Sequence, residues 1–280
     1  MIHLRSVAPK GAPPAGDDGH FPFSVPAVRS LGTLEFASPV TFFVGENGSG
    51  KSTLLEGIAA AAGLPTVGSL ELHDDATLAA QHLLGRAFRL AWEKRTHRGF
   101  FLRAEDFFGF TKSLTKLRAE LQQRLADIDV EFADRTPYAR GLAAGPAAAS
   151  LADMTRRYGV DLDANSHGQS FLRLFQNRFV PGGLYLLDEP EAPLSPHSQL
   201  ALIVMMDEMV HQQQAQFIIA THSPLLLAFP NATIYTFDEL PVRTVGYNDL
   251  DHVTITRAFL NDPERYLRHL ITPPPSELPL

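Results

Sequence analysis

The stretch Gly45-Glu46-Asn47-Gly48-Ser49-Gly50-Lys51-Ser52-Thr53 constrains this chain more than any other. It fits the pattern G-x-x-x-x-G-K-[ST], with Gly45, Gly50, Lys51 and Ser52 at the fixed positions. The apolar run Val40-Thr41-Phe42-Phe43-Val44 before it reads as a strand, and Leu54 to Ala62 after it reads as a helix. Strand, glycine loop and helix together form the context in which this pattern cradles phosphate. The glycines let successive backbone N–H groups turn towards phosphate oxygens, and the helix N-terminus adds its positive dipole end. Lys51 would reach the β- and γ-phosphates, and the Ser52 hydroxyl would ligate Mg²⁺. Gly45, Asn47, Gly48, Ser49, Gly50, Lys51, Ser52 and Thr53 are therefore the candidate nucleotide-binding residues, with ATP and Mg²⁺ as the cofactors they imply.

A second apolar run, Leu184-Tyr185-Leu186-Leu187, ends in Asp188-Glu189-Pro190. Continuous apolar residues mark a strand buried on both faces, and in parallel α/β sheets ligands sit beyond the carboxyl ends of such strands. Asp188 is there a candidate metal ligand beside Ser52. Glu189, projecting differently, is a candidate base for a water attacking the γ-phosphorus. Pro190 stops the strand at these carboxylates, because it has no N–H to give a ladder. Phe217-Ile218-Ile219-Ala220-Thr221 reads as another strand, and His222 at its end could hydrogen-bond the γ-phosphate or the attacking water. Asn165-Ser166-His167-Gly168-Gln169 precedes a helical run from Phe171 to Phe179 and reads as a helix N-terminus suited to an anion.

The remaining segments read less sharply. Ile2 to Val7 predicts a first strand, and Phe21 to Leu31 with Thr33 to Phe36 predict strands of an antiparallel edge. Phe21 and Phe23 read as core aromatics rather than an adenine platform. Asp74 and Asp75 offer an N-cap to a helix from Ala76 to about Arg95, with Trp92 in the core. Gly99 to Arg103 predicts a strand. Leu114, Leu117, Leu121, Leu125 and Ile128 recur at steps of three and four and predict one apolar helix face packed on the body. Gly141 to Ser150, all small residues but Leu142 and Pro146, reads as a connector, and the proline-rich end from Thr272 reads as a tail.

Bulk properties narrow the function. A net charge of −7 argues against a surface dominated by nucleic-acid contacts. The absence of cysteine excludes thiolate metal sites and fits a cytoplasmic location. The other histidines show no zinc-ligand spacing. Leu200 to Met206 is the longest apolar stretch, far short of a membrane span, so direct membrane insertion is not expected.

In order and spacing these pieces resemble the ABC-type ATPase superfamily. Walker A falls at Gly45–Thr53, the signature at Asn165–Gln169, Walker B at Leu184–Glu189 and the switch histidine at His222. Within it the chain looks most like the small stand-alone AAA-family ATPases of the SMC/RecF-like branch. Val40–Leu55, Ser166–Phe175, Leu186–Ser195 and Thr256–Arg265 carry that likeness. The resemblance implies an α/β P-loop fold with a mostly parallel core sheet, an antiparallel β edge and a helical subdomain. It divides a single domain, 1–280, into a core lobe of about 1–111 and 180–260, helices at about 112–179 and a tail at 272–280. It further implies an ATP-dependent head-to-tail homodimer in which Ser166, Gly168 and Gln169 meet the partner's nucleotide, and Leu194-Ser195 match the loop that crosses the dimer. DNA or an unidentified protein would be the further partner. Two departures stand out. His167 replaces the usual signature glycine, and no glutamine clearly matches the Mg²⁺-ligating loop near Phe101–Glu105, where Glu105 is the nearest substitute and Gln81 a poor one. The expected function is Mg²⁺-dependent ATP hydrolysis driving a dimer switch. The alternatives are the ATP-binding subunit of a membrane transporter and a nucleotide-binding module without turnover.

Overall fold

The computed structural model describes residues 1–11, 19–67, 76–158 and 167–271. Strand β1 (Leu4–Pro9) is followed by the short helix α1 (Pro26–Arg29), β2 (Leu34–Glu35) and β3 (Val40–Val44). Then come α2 (Lys51–Ala62), α3 (Ala76–Ala87), β4 (Phe88–Trp92) and β5 (Gly99–Arg103). Three long helices follow, α4 (Ala104–Glu131), α5 (Pro137–Tyr158) and α6 (His167–Arg178). The chain returns to the sheet with β6 (Leu184–Asp188), α7 (Pro196–His211), β7 (Gln216–Ala220) and α8 (Pro224–Leu227). It continues through β8 (Thr233–Thr236), β9 (Arg243–Thr244), α9 (Asp251–Asn261) and α10 (Pro263–Leu270).

Six strands form the main sheet in the order β5-β6-β7-β3-β8-β9, and three form an antiparallel sheet, β2-β1-β4. Every pair in the main sheet is parallel except β8 with β9. Parallel strands are buried on both faces, and alternate side chains of β6 accordingly enter different cores. Leu184 and Leu186 pack with Leu54, Leu55 and Ile58 of α2, whereas Tyr185 and Leu187 pack with Phe171, Phe175 and Leu202 of α6 and α7. The antiparallel sheet adds Leu4, Val7, Leu34 and Phe88 to the α2 side.

One side chain ties the two sheets together. Gln216, fully buried at the start of β7, accepts hydrogen bonds through Oε1 from the backbone N–H groups of His3 and Leu4, both at 2.8 Å, and its Nε2 donates to Leu4 O at 2.9 Å. Such a side chain supplies the ladder partner that this edge of β1 would otherwise lack.

Several expectations are corrected. Phe21–Leu31 is not a strand, because Pro26 opens the helical turn of α1. Phe23 is core, and Phe21 is exposed. The helix from Ala76 ends at Ala87, where the alternation Phe88-Arg89-Leu90-Ala91-Trp92 turns the chain into β4 against β1; Asp74 and Asp75 lie outside the described residues. Gly141–Ser150 is no connector but the middle of α5, where alanine's helix propensity outweighs Gly145 and Pro146. On α4, Leu114 and Ile128 are buried but Leu117 is exposed, so the apolar face is narrower than its spacing suggests. The tail 272–280 lies outside the described residues. Among the described residues no helix is long and apolar enough to cross a membrane.

Candidate functional site

Register brings the candidate residues to one edge. Arg103 of β5 pairs with Asp188 of β6, Asp188 with Ala220 of β7, and Ala220 with Phe43 of β3. These four residues form one row across the carboxyl end of the sheet. The glycine loop begins two residues beyond the row, Glu189 one residue beyond it, and His222 two beyond it. Four segments distant in sequence thus open on the same crevice, where parallel α/β sheets bind ligands.

The loop has the backbone its glycines predict. Gly45, Gly48 and Gly50 all have positive φ, at 151°, 82° and 99°. A Cβ at Gly50 would lie 2.6 Å from Val25 Cγ1, so this position combines a left-handed backbone with a contact that excludes a side chain. Lys51 opens α2 and is buried, its Nζ donating to the carbonyls of Gly45 at 2.6 Å and Glu46 at 3.0 Å. Burial lowers its pKa below the ordinary lysine value, against the raising influence of Glu189 and Asp188. The ammonium lies curled against its own loop. Glu46 N–H donates to Asp238 Oδ1 at 2.6 Å, which anchors the loop to the end of β8.

Across one strand, Ser52 Oγ donates to Asp188 Oδ1 at 3.2 Å. Burial pushes the Asp188 carboxyl up to about 7, the Ser52 hydrogen bond opposing it and Glu189 adding to it. A hydroxyl and a carboxylate oxygen side by side are hard donors that suit Mg²⁺, which takes one or two carboxylates and completes its shell with water and phosphate. The donor set therefore fits the ion. Among the described residues no cluster of three or more His, Asp or Glu is arranged as an all-protein metal cage.

Glu189 follows Asp188 with φ of 50°, unusual for a residue with a side chain. Its carboxylate Oε1 lies 3.8 Å from His222 Nε2, and both side chains are part-exposed to the crevice. The His222 Nε2 atom is enclosed and has no hydrogen-bond partner. A cleft of about 190 Å³ is lined by Ser52, Glu56, Arg103, Ala104, Glu105, Asp188 and Glu189.

Not every candidate joins this cleft. Gly168 is buried in the first turn of α6, with Pro193 O 3.2 Å from where its Cβ would be, and Gln169 is exposed. Neither lines the cleft, and neither do the glycine-loop residues Gly45–Lys51 or His222; Gly45 and His222 line a second cavity of about 340 Å³ with Glu46 and Asp238. Asn165 and Ser166 lie outside the described residues. Ser195 caps α7 by accepting from Ser198 N–H, and Leu194 is buried.

Three residues escaped the sequence reading. Arg103 binds Glu56 and Asp106 at the cleft. Glu56 lies one helical turn after Ser52, a spacing of four that could have flagged it. Glu191 accepts the His222 backbone N–H at 2.7 Å, while its other oxygen, Oε2, is buried and unpartnered. Gln81, the poor candidate for the missing glutamine, is buried on α3 with its Nε2 unpartnered, and Glu105 extends outward, 3.5 Å from Arg103.

Two family models match the chain. Residues 27–71 match a model described as "AAA domain", and residues 120–228 match one described as "AAA domain, putative AbiEii toxin, Type IV TA system". No curated protein matches it. Among solved structures, the Smc head domain of Pyrococcus furiosus, bound to the C-terminal domain of ScpA, is 12% identical, with a TM-score of 0.44 over 94% of this chain and 100% of that one. A nucleotide-free ATP-binding cassette from an ABC transporter is 15% identical, with a TM-score of 0.42 over 95% and 99%. The SMC head domain of Thermotoga maritima is 13% identical, with a TM-score of 0.41 over 87% and 98%.

Proposed function

We propose that this chain is an ATP-hydrolysing P-loop enzyme that works as an ATP-dependent, Mg²⁺-requiring dimer switch; the two AAA-domain family matches support the enzyme class. The observation that carries the reading is the meeting of Ser52 Oγ and Asp188 Oδ1 at 3.2 Å beside the buried Lys51. Lys51 gives up its two loop carbonyls and donates to the β- and γ-phosphates. The N–H groups of the loop and the start of α2 hold the remaining phosphate oxygens. Ser52 and Asp188 would hold the Mg²⁺ ion, whose chemistry is to neutralise charge on the phosphates. Glu189 orients and deprotonates the attacking water, and His222, on the adjacent strand end, donates to the γ-phosphate or holds that water. The positive φ of Glu189 fits this role, since it turns the carboxylate away from the direction of Asp188.

A second copy would close the site through Ser166, Gly168 and Gln169, with α4, α5 and α6 as the subdomain that carries them. ATP would then hold the dimer together, and hydrolysis would release it. What supports a setting in DNA maintenance or defence is the likeness of the motifs to the SMC/RecF-like branch and the toxin–antitoxin wording of the second family description.

Lys51→Ala tests the core of the proposal. It is expected to abolish nucleotide binding by calorimetry, and ATP hydrolysis with it. Wild-type affinity and turnover in that variant would refute the reading. Measuring hydrolysis with and without added DNA tests the setting, with stimulation as the expected result.

A further inference from the structure

Arg103 ends β5 in register with Asp188, and its guanidinium is spent on two elements at once. Nε and Nη2 donate to the two oxygens of Asp106, at 2.9 and 3.2 Å, and Nη1 donates to Glu56 Oε1 at 3.0 Å. The side chains of Arg103, Glu56 and Asp106 are only 15, 13 and 11% exposed, which separates this cluster from an ordinary surface ion pair. Burial by itself would lower the guanidinium's pKa, but Asp106, Glu56 and Glu105 outweigh it and raise it.

The two partners belong to different parts of the machinery. Glu56 is on α2, one turn after the candidate metal ligand Ser52, on the wall of the cleft. Asp106 is in the first turn of α4, where a carboxylate also complements the helix dipole. Helix α4 packs on α5, and α5 on α6, whose first turn carries Gly168. Only a planar fork can serve a carboxylate with two parallel bonds while a third N–H serves another. A lysine ammonium in the same place is a point charge without that geometry.

We propose that Arg103 is a positioning residue that holds Glu56 against the metal end of the cleft and ties the filling of that cleft to the first turn of α4. The proposal rests on the ATPase reading.

The test uses the full chain and Arg103→Lys, with amide hydrogen exchange and calorimetry as readouts. Without ligand, the variant is expected to exchange faster over residues 104–107 than wild type. With a non-hydrolysable ATP analogue and Mg²⁺, wild type is expected to gain protection there and the variant to gain none. Calorimetry is expected to show Mg²⁺-dependent analogue binding weakened by about 10–100-fold, as for other residues that orient metal ligands, and binding in EDTA unchanged. Arg103→Met with Glu56→Gln and Asp106→Asn removes the buried charges together and guards against a folding failure. It is expected to remain folded with the same loss of Mg²⁺ dependence. Wild-type protection and Mg²⁺ dependence in Arg103→Lys, or in the neutral triple variant, would overturn the proposal. Failure of the wild type to bind the analogue would count against the ATPase reading instead. Exchange over 104–107 in the ligand-free proteins would then judge Arg103 alone, with equal rates in the two proteins overturning it.

Discussion

At the scale of single residues, the site divides by how far its partners lie apart in sequence. Lys51, Ser52 and Asp188 were legible because short local patterns carry their chemistry: a glycine loop between strand and helix, and an acid at the end of an apolar run. Arg103, Glu56 and Glu191 were not, because what makes them functional is a contact. Arg103 and Glu56 are an ordinary arginine and glutamate until folding brings them to 3.0 Å. Glu191 shows the same dependence on context and yields a prediction. Burial, aided by Glu189, raises its pKa above the usual carboxylate value, despite hydrogen bonds from the backbone N–H groups of His222 and of Glu191 itself. A carboxylate whose pKa is raised on folding binds more protons folded than unfolded, so its contribution to stability is present below the unfolded pKa and falls as pH rises through the folded one. Glu191→Gln can still accept from His222 N–H but has no charge to bury. It is expected to melt at a higher temperature than wild type at pH 8, with the gap closing towards pH 4. A difference in melting temperature that is constant across that range would contradict it.

At the scale of elements, the strands of the main sheet were the most readable because burial on both faces leaves apolar runs that nothing else explains. Val40–Val44, Leu184–Leu187 and Phe217–Ala220 all fall in β3, β6 and β7. Reading failed where two periods met or where propensity opposed punctuation. Phe88–Trp92 follows a helix without a glycine or proline between them, so its alternation was absorbed into α3. In α5 a Gly-Pro pair suggested a break that alanines on either side override. The joint between the sheets was invisible for a further reason, since a glutamine at a strand start gives no signal of what it binds. Gln216→Leu keeps the volume but strips partners from two N–H groups and one carbonyl at the start of β1. Each buried unsatisfied group costs about 1–3 kcal/mol. The variant is expected to lose about 3 kcal/mol or more in urea unfolding, with exchange rising first along β1. A loss below about 1 kcal/mol would show that β1 is held by β2 and β4 alone.

At the scale of the whole molecule, the sheet edge gathers the glycine loop, the Ser52–Asp188 pair, Glu189 and His222, yet among the described residues Gly168 and Gln169 of α6 do not line the cleft beside them. Glu189 and His222 both remain part-exposed, and the first turn of α6 sits against the loop after β6. A site that must exclude water to hydrolyse ATP productively is incomplete in this state. A second copy, related by a two-fold axis, would supply the cover twice over with one surface. Glu189→Gln separates assembly from chemistry. It keeps the Lys51 and Ser52–Asp188 contacts and removes the base, so ATP binds and persists. With ATP and Mg²⁺ the Glu189→Gln protein is expected to double its mass by light scattering and to return to monomer when nucleotide is removed. Adding Ser166→Arg to it tests the trans role proposed for that residue. The double variant is expected to bind ATP with unchanged affinity and remain monomeric. Were it to dimerise as well as Glu189→Gln alone, the cover would come from another surface, and the head-to-tail arrangement would fall while the cleft and its chemistry stood.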